Sequence, residues 1–198
     1  MLISEDLLLA HGATYENHAA NQRIFREGDI PKYYFQIVRG TVELNNHHLD
    51  GRQFTQDILS EGQGFGESLL FIDKPYPMNA VAKTDCGVLK LSKTDFLDMI
   101  SQNPKVSSNI VKCLADRSYY ECLMLFHISA HDPIFKIKTL INYIKGYSAD
   151  HIQYSFQVPL TRQQLANLTG LRIETVIRAV KKMEKEKIIK IISRKIFY

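Results

Sequence analysis

Residues 160–192, LTRQQLANLTGLRIETVIRAVKKMEKEKIIKII, predict two short helices and a tight turn between them. Thr161 stands three residues before Gln164, the spacing of a capping box, in which hydroxyl and side-chain amide satisfy the free backbone donors of a helix start. One helix therefore begins near Arg162, takes its apolar side from Leu165, Ala166 and Leu168, and ends at Thr169-Gly170, where glycine can adopt the positive φ that closes a helix. A second helix is predicted from Ile173 to Glu186, with Val176, Ile177, Val180 and Met183 as its buried stripe. Its other side carries Arg172, Glu174, Thr175, Arg178, Lys181, Lys182 and Lys185. A first helix, a glycine turn and a second helix that offers long polar side chains from its N-terminal end are the parts of a helix-turn-helix. An ordinary helical hairpin with a solvated basic face is the other reading of the same residues.

The charge distribution bears on that choice. The chain of 198 residues has a net charge of +4, but Pro159 to Tyr198 hold ten Lys or Arg against three acids, a net of +7, which leaves −3 for residues 1–158. A positive field concentrated on the helix-turn-helix is the electrostatic footprint of a nucleic-acid-binding module joined to a neutral or acidic partner domain. Hydrophobic residues at 45% and charged residues at 23% are ordinary for a globular protein. There is no long apolar run, and MLISEDLLLAHG lacks a basic secretory start, so a cytoplasmic protein with no membrane partner is expected. The three cysteines, Cys86, Cys113 and Cys122, have no CxxC spacing and are read as buried free thiols.

Upstream the texture differs. A short helix around Leu7, Leu8 and Leu9 precedes brief apolar runs from Arg23 onward, punctuated by Gly28, Gly40, Gly51, Gly62, Gly64 and Gly66. That spacing reads as short strands in an all-β sandwich or roll. His47-His48 with Asp50-Gly51 reads as a hairpin turn, because adjacent strand residues point to opposite faces and cannot share a metal. Gly62-Gln63-Gly64-Phe65-Gly66-Glu67 lacks the glycine spacing of a dinucleotide fingerprint and the Lys-Ser/Thr of a P-loop, and neither is assigned. Ser92 and Asp95 form another capping-box spacing, starting a helix that Pro104 follows.

A longer helix is predicted from Val106 to Ile128. Val111, Leu114, Ser118, Glu121, Leu125 and Ile128 recur along it at alternating threes and fours, a heptad seam that implies a parallel pair between two subunits or, on the other reading, a core helix of one. His127 and His131 lack a third ligand and are not assigned to a metal. Asp132 to Gly146 reads as another helix, with Ile134, Ile137, Leu140, Ile141 and Ile144 inward, followed by a short strand near Tyr154 to Val158. Ile188 to Ile192 and Lys195 to Tyr198 read as the two strands of a small wing around Ser193-Arg194. No nucleophile-base pair, metal set or phosphate loop emerges, so an enzyme is not expected.

This order of parts resembles the catabolite-activator and FNR (CRP/FNR) family of bacterial transcription regulators. Phe25-Arg26-Glu27-Gly28-Asp29, Tyr34 to Gly40, Phe65-Gly66-Glu67-Ser68-Leu69-Leu70-Phe71, and Leu160 to Gln164 with Gly170 to Arg178 carry the resemblance, which covers nearly the whole chain. It implies an α+β protein: a cyclic-nucleotide-binding-like β-roll of the jelly-roll kind over residues 1–105, a dimerisation helix over 106–130, and a winged helix-turn-helix over 131–198. In the family, a glutamate after the glycine accepts the ribose hydroxyl of cyclic AMP, and an Arg-Ser/Thr pair neutralises the cyclic phosphate. Glu67 matches the first, but Asp73 to Ala80 contains no arginine, and Lys74 cannot reproduce a bidentate fork.

The positions of the family's Thr-Ser adenine contacts fall at Glu121 and Cys122. Cyclic AMP is therefore not the expected ligand. The effector pocket, open to another small molecule, comprises Gly66, Glu67, Ser68, Met78, Asn79, Glu121 and Cys122. The N-terminus has no cysteines before the roll, against the iron-sulfur branch of the family.

On the second helix the family reads bases through an Arg-Glu-Thr-Val-x-Arg pattern, which here is Ile173-Glu174-Thr175-Val176-Ile177-Arg178. The resemblance implies that Glu174 accepts from a cytosine amino group and Arg178 donates to guanine O6 and N7. Ile173 suits a thymine methyl, so half-sites closer to TTGA than to GTGA are expected. Thr161, Arg162, Gln163, Arg172, Lys181 and Lys182 are the phosphate candidates. The expected partners are a second copy of the chain, palindromic double-stranded DNA and RNA polymerase. A cyclic-nucleotide-responsive sensor module built around Glu67, without a DNA function of its own, is the alternative.

Overall fold

The structure is a computed structural model that describes residues 2–146 and 152–198, with the backbone alone at residues 127 and 128. Its elements run α1 (Glu5–Ala10), β1 (Thr14–His18), β2 (Arg23–Phe25), β3 (Tyr33–Arg39), β4 (Val42–His47), β5 (Gln53–Leu59), β6 (Gly64–Phe65), α2 (Glu67–Leu70), β7 (Asn79–Ala82), β8 (Cys86–Ser92), α3 (Lys93–Gln102), α4 (Pro104–Ser129), α5 (Pro133–Lys145), α6 (Arg162–Thr169), α7 (Ile173–Lys185), β9 (Lys190–Ile192) and β10 (Lys195–Phe197). The chain divides into two compact units, 1–117 and 118–198, and the division falls inside α4.

The first unit holds two four-stranded antiparallel sheets, ordered β1-β8-β3-β6 and β2-β7-β4-β5. Alternation along each strand sends one set of side chains between the sheets. Phe25, Phe35, Ile37, Val42, Leu44, Leu59, Phe65, Ala80, Ala82 and Val88 form this shared core. The opposite face of the first sheet is also apolar: Tyr34, Leu89 and Leu91 pack with Ile3, Leu8, Phe96, Met99, Val106 and Ile110. Gln36, fully buried among them, donates from Nε2 to the Ile3 carbonyl at 2.7 Å and accepts from the Ile3 amide at 3.1 Å and the Tyr34 hydroxyl at 2.9 Å. A buried amide with these partners is satisfied, and it ties the segment before α1 to the roll.

The hairpin predicted at His47 to Gly51 connects β4 to β5. Gly62 to Glu67 leads from β6 into α2, but α2 has only four residues, with Gly66 as its N-cap at φ 84°. Ser92 accepts from the Asp95 amide at 3.2 Å as a cap, while the Asp95 carboxylate turns to the Ser92 hydroxyl.

Two expectations for α4 need correction. Leu114 does not line a free seam, because it packs with the core beneath the first sheet, one turn past Ile110. Val111, Ser118, Glu121 and Leu125 are exposed in the single chain, Val111 at 64% and Leu125 at 71%, and Ala115 and Cys122 complete the same exposed stripe. The side chains of Ile128 and His127 lie outside the described residues. The cysteines are free thiols, but Cys86 alone is buried; Cys113 is half-buried, and Cys122 is exposed on the same stripe as Val111 and Leu125.

In the second unit Asp132 caps α5 by accepting from the Ile134 amide at 3.0 Å, with Pro133 at the first helical position. Ile137, Leu140 and Ile141 are buried, and Ile134 and Ile144 half-buried. The strand expected near Tyr154 to Val158 is confined to its second half: Tyr154 turns the chain at φ 63°, and beyond it Gln157 pairs opposite Phe197, Phe156 and Tyr198 donate to each other's carbonyls at 3.3 and 2.8 Å, and the Val158 amide donates to the Ile196 carbonyl at 2.8 Å.

Candidate nucleic-acid interface and roll pocket

Both halves of the capping box at α6 are made. Thr161 Oγ1 accepts from the Gln164 amide at 3.1 Å, and Gln164 Oε1 accepts from the Thr161 amide at 2.8 Å. Leu165, Ala166, Leu168 and Thr169 are buried, and Gly170 closes the helix at φ 66°. These contacts fix where α7 starts. Its buried stripe is Val176, Ala179, Val180 and Met183. Ile177, predicted to be inside, is 37% exposed; Ala179 takes its place because Ile177 lies on the side of the helix shared with Glu174, Arg178 and Lys181.

Of the three residues expected to read bases, Glu174 and Arg178 are exposed and Ile173 is half-buried, all in the first two turns of α7. Glu174 in the first turn is favoured by the positive end of the helix, and Lys182 and Lys185 in the last turn by the negative end. Arg172 precedes α7 as its N-cap and makes no side-chain cap bond, so its guanidinium is not used there. The other phosphate candidates surround this face. Thr161, Gln163, Lys181 and Lys182 are exposed and Arg162 is half-buried.

Two of them have structural duties that the sequence did not show. Arg162 Nη1 donates to the Arg194 carbonyl at 3.0 Å, across 32 residues, and Gln163 Nε2 donates to Asn167 Oδ1 at 2.8 Å. Ser193 and Arg194, at φ 48° and 66°, form the left-handed turn between β9 and β10. Glu184 Oε1 accepts from the Ile191 amide at 3.2 Å. First helix, second helix and wing are thus joined by polar bonds as well as by their core.

The pocket residues of the first unit are placed differently from a simple ligand cradle. Glu67 is fully buried at the start of α2, and its Oε1 accepts from Arg117 Nη1. Arg117 Nη2 also donates to the Gly64 carbonyl. Burial opposes the Arg117 charge, but Glu67, Cys113, Asp57 and Tyr34 outweigh it and hold its pKa above the ordinary value. Glu67 Oε2 and the Tyr76 hydroxyl are buried without a partner among the described residues. The Tyr76 ring stacks on Phe25 at 3.7 Å, and its hydroxyl lies 3.1 Å from where a Cβ on Gly66 would stand. Burial first, and then Glu67, push its phenol well above its usual range.

Met78 packs against the roll core. Asn79 accepts from the Glu27 amide and donates to the Asn45 carbonyl, each at 3.2 Å, and is spent on backbone. Ser68 and Lys74 are exposed. Glu121 and Cys122 are exposed on α4. Arg117 was the residue that sequence reasoning missed. Its signal lay in the spacing Val106, Ile110, Leu114, Arg117, the stripe that packs on the roll and not the one that faces away from it.

A family model for the cyclic nucleotide-binding domain matches residues 15–103, and one for the Crp-like helix-turn-helix domain matches residues 137–197. The chain belongs to the CRP/FNR family. It is similar to the cAMP-activated global transcriptional regulator CRP of Haemophilus influenzae, 26% identical over 187 residues that cover 93% of this chain and 83% of that protein. It is similar also to the cyclic AMP receptor protein of Thermus thermophilus, 27% identical over 168 residues, 85% and 76% of the two chains. Among solved structures the fold is shared with the c-di-GMP responsive global regulator CLP of Xanthomonas campestris, with TM-score 0.77, 22% identity and coverage of 97% and 96%. It is shared too with a CooA mutant from Carboxydothermus hydrogenoformans, with TM-score 0.81, 16% identity and coverage of 98% and 85%. As a CRP/FNR member the chain is a DNA-binding transcription regulator, not an enzyme, with a cyclic-nucleotide-binding-like roll and a winged helix-turn-helix.

Proposed function

We propose that this CRP/FNR member is a homodimeric, cytoplasmic regulator that reads a palindrome with TTGA-like half-sites, acts with RNA polymerase, and is not controlled by cyclic AMP. The observation that carries the reading is the division of α7 into a buried stripe and an exposed face led by Glu174 and Arg178, with the half-buried Ile173 at its start. Glu174 accepts from a cytosine amino group, Arg178 donates to a guanine, and Ile173 contacts a thymine methyl. Arg172, Thr161, Arg162, Gln163, Lys181 and Lys182 hold the phosphates. The exposed stripe through Val111, Ser118, Glu121 and Leu125 supports pairing of two copies, which sets two reading helices about 34 Å apart, one turn of DNA.

The relatives are named as cAMP-activated. Against the same control here stand the absence of arginine between Asp73 and Ala80, the apolar Met78, and an Asn79 already bonded to backbone. Selection of binding sites from random duplex tests the half-site; recovery of GTGA, or of no consensus, overturns it. Calorimetry with cyclic AMP tests the control, and micromolar binding would favour the relatives' mode.

A further inference from the structure

The turn of the wing is made from residues that its shape does not favour. Ser193 and Arg194 alone join β9 to β10, at φ 48° and 66°, a two-residue hairpin whose central residues are both left-handed. Asparagine and glycine adopt that shape readily, whereas an arginine there crowds its Cβ against the following carbonyl oxygen. The turn is braced from α6, where Arg162 Nη1 donates to the Arg194 carbonyl at 3.0 Å. That single bond leaves the remaining donors of the Arg162 guanidinium open to a phosphate.

The backbone of Arg194 is thus held while its side chain is exposed at the tip. Ile192 stands opposite Lys195 and Lys190 opposite Phe197, so Lys190, Ile192 and Lys195 share one face of the two strands, and all three are exposed. Ile191 and Ile196 turn the other way, with Ile196 buried. Among the described residues Lys190, Arg194 and Lys195 have no ion-pair partner. Glu184, the acid beside these strands, accepts from the Ile191 amide. The wing is therefore a narrow ribbon with an unpaired guanidinium at its tip and a lysine on either strand. The major groove, about 12 Å wide, is the groove that admits a helix such as α7. A narrow minor groove concentrates the negative potential of its phosphates and accepts a single arginine.

We propose that Arg194 enters the minor groove beside each half-site and reads its width, so that this chain prefers palindromes flanked by A·T tracts. This rests on the DNA-reading function above and adds a specificity-determining residue to it. Arg194 makes no base-specific bond; discrimination comes from how narrow the flank already is. Lys190 and Lys195 hold phosphates on the walls of the groove. Lysine at the tip serves less well, because its compact ammonium is more strongly hydrated than a guanidinium.

The test measures binding of the full chain by fluorescence anisotropy to its selected palindrome with three flanks: an A-tract, a G·C run, and the same run with inosine in place of guanine. Inosine removes the N2 amino group from the minor groove and keeps the major-groove edge of guanine. Wild type should bind the A-tract flanks about fivefold more tightly than the G·C flanks, the lower end of what one unfavourable base pair costs. The inosine flanks should return most of that difference. Arg194→Ala should fall to the G·C level on every flank, with half-site selection unchanged, and Arg194→Lys should keep only part of the preference. Arg194→Gly is the folding control: glycine suits the turn, so this variant should melt no lower than wild type while losing the flank preference as alanine does.

Equal wild-type affinity for A-tract and G·C flanks overturns the proposal. A loss by the same factor on all flanks in Arg194→Ala and Arg194→Gly also overturns it, because that is the mark of a phosphate contact. Inosine flanks that behave as guanine flanks take the discrimination out of the minor groove and overturn it as well. Each of these results leaves palindrome selection standing; if wild type binds no duplex, the DNA reading itself falls and this inference with it.

Discussion

Arg178 is exposed on α7 and has no structural bond among the described residues, so Arg178→Ala tests readout without disturbing the fold. It should cost about 1 to 3 kcal/mol on the selected palindrome and relax preference at one guanine, as measured by fluorescence anisotropy on single-base variants. Lys182→Ala should weaken specific and random duplex alike and lower the salt slope by about 1. Its ion pair with Glu186 at 3.9 Å joins two exposed groups and has little bearing on stability. Ile173→Arg should move the preferred half-site from TTGA toward GTGA; unchanged selection would remove Ile173 from the readout. Tyr34 and Tyr76 set an alkaline limit. Both phenols stand above their ordinary 10.0, first because of burial and then because of Glu67. Below that value folded and unfolded chains both keep the protons and stability is intact. Above it the unfolded chain releases protons that the folded chain retains, so unfolding free energy falls as pH rises. Urea midpoints should therefore be flat up to about pH 10 and decline beyond it, with a shallower decline in Tyr34→Phe.

At the scale of elements, periodicity was a good guide where one face of a helix meets water and a poor one where both are used. The capping box of α6 and the glycine at its end were legible because their chemistry is local: Thr161, Gln164 and Gly170 need no distant partner. Thr161→Ala should accordingly lower stability by about 1 kcal/mol, read as a drop in melting temperature. Ile177 was misassigned because three of its helical neighbours are apolar, and only the packed structure shows Ala179 to be the residue inside. On α4 one apolar pattern serves two surfaces. Ile110 and Leu114 face the roll, while Val111 and Leu125 are open, and a heptad count cannot separate rows one residue apart. Arg117 escaped notice for the same reason, as a cation at the end of the packed row looks like any solvated helix residue. If the open row is the dimer contact, Val111→Asp with Leu125→Asp should give monomers in sedimentation at micromolar concentration and abolish palindrome binding while leaving the fold intact.

For the whole molecule, the order of a glycine-punctuated roll, a long helix and a basic C-terminal module was readable from the chain, because hydrophobic alternation and charge partition survive without coordinates. The interior of the roll was not. The family resemblance placed Glu67 in a pocket, but what meets it comes from 50 residues away, and such pairings leave no mark in local sequence. The two compact units meet inside one unbroken helix, with the first ending at Arg117 and the second beginning at Ser118. That junction makes the molecule exchangeable by halves. A chimera that joins the roll of another family member to residues 118–198, spliced without shifting the helical phase, inherits its trigger from the donor and its operator from this chain. An insertion of two residues at the splice, turning the downstream half by about 200° at 3.6 residues per turn, should leave both halves folded and the transcriptional response silent.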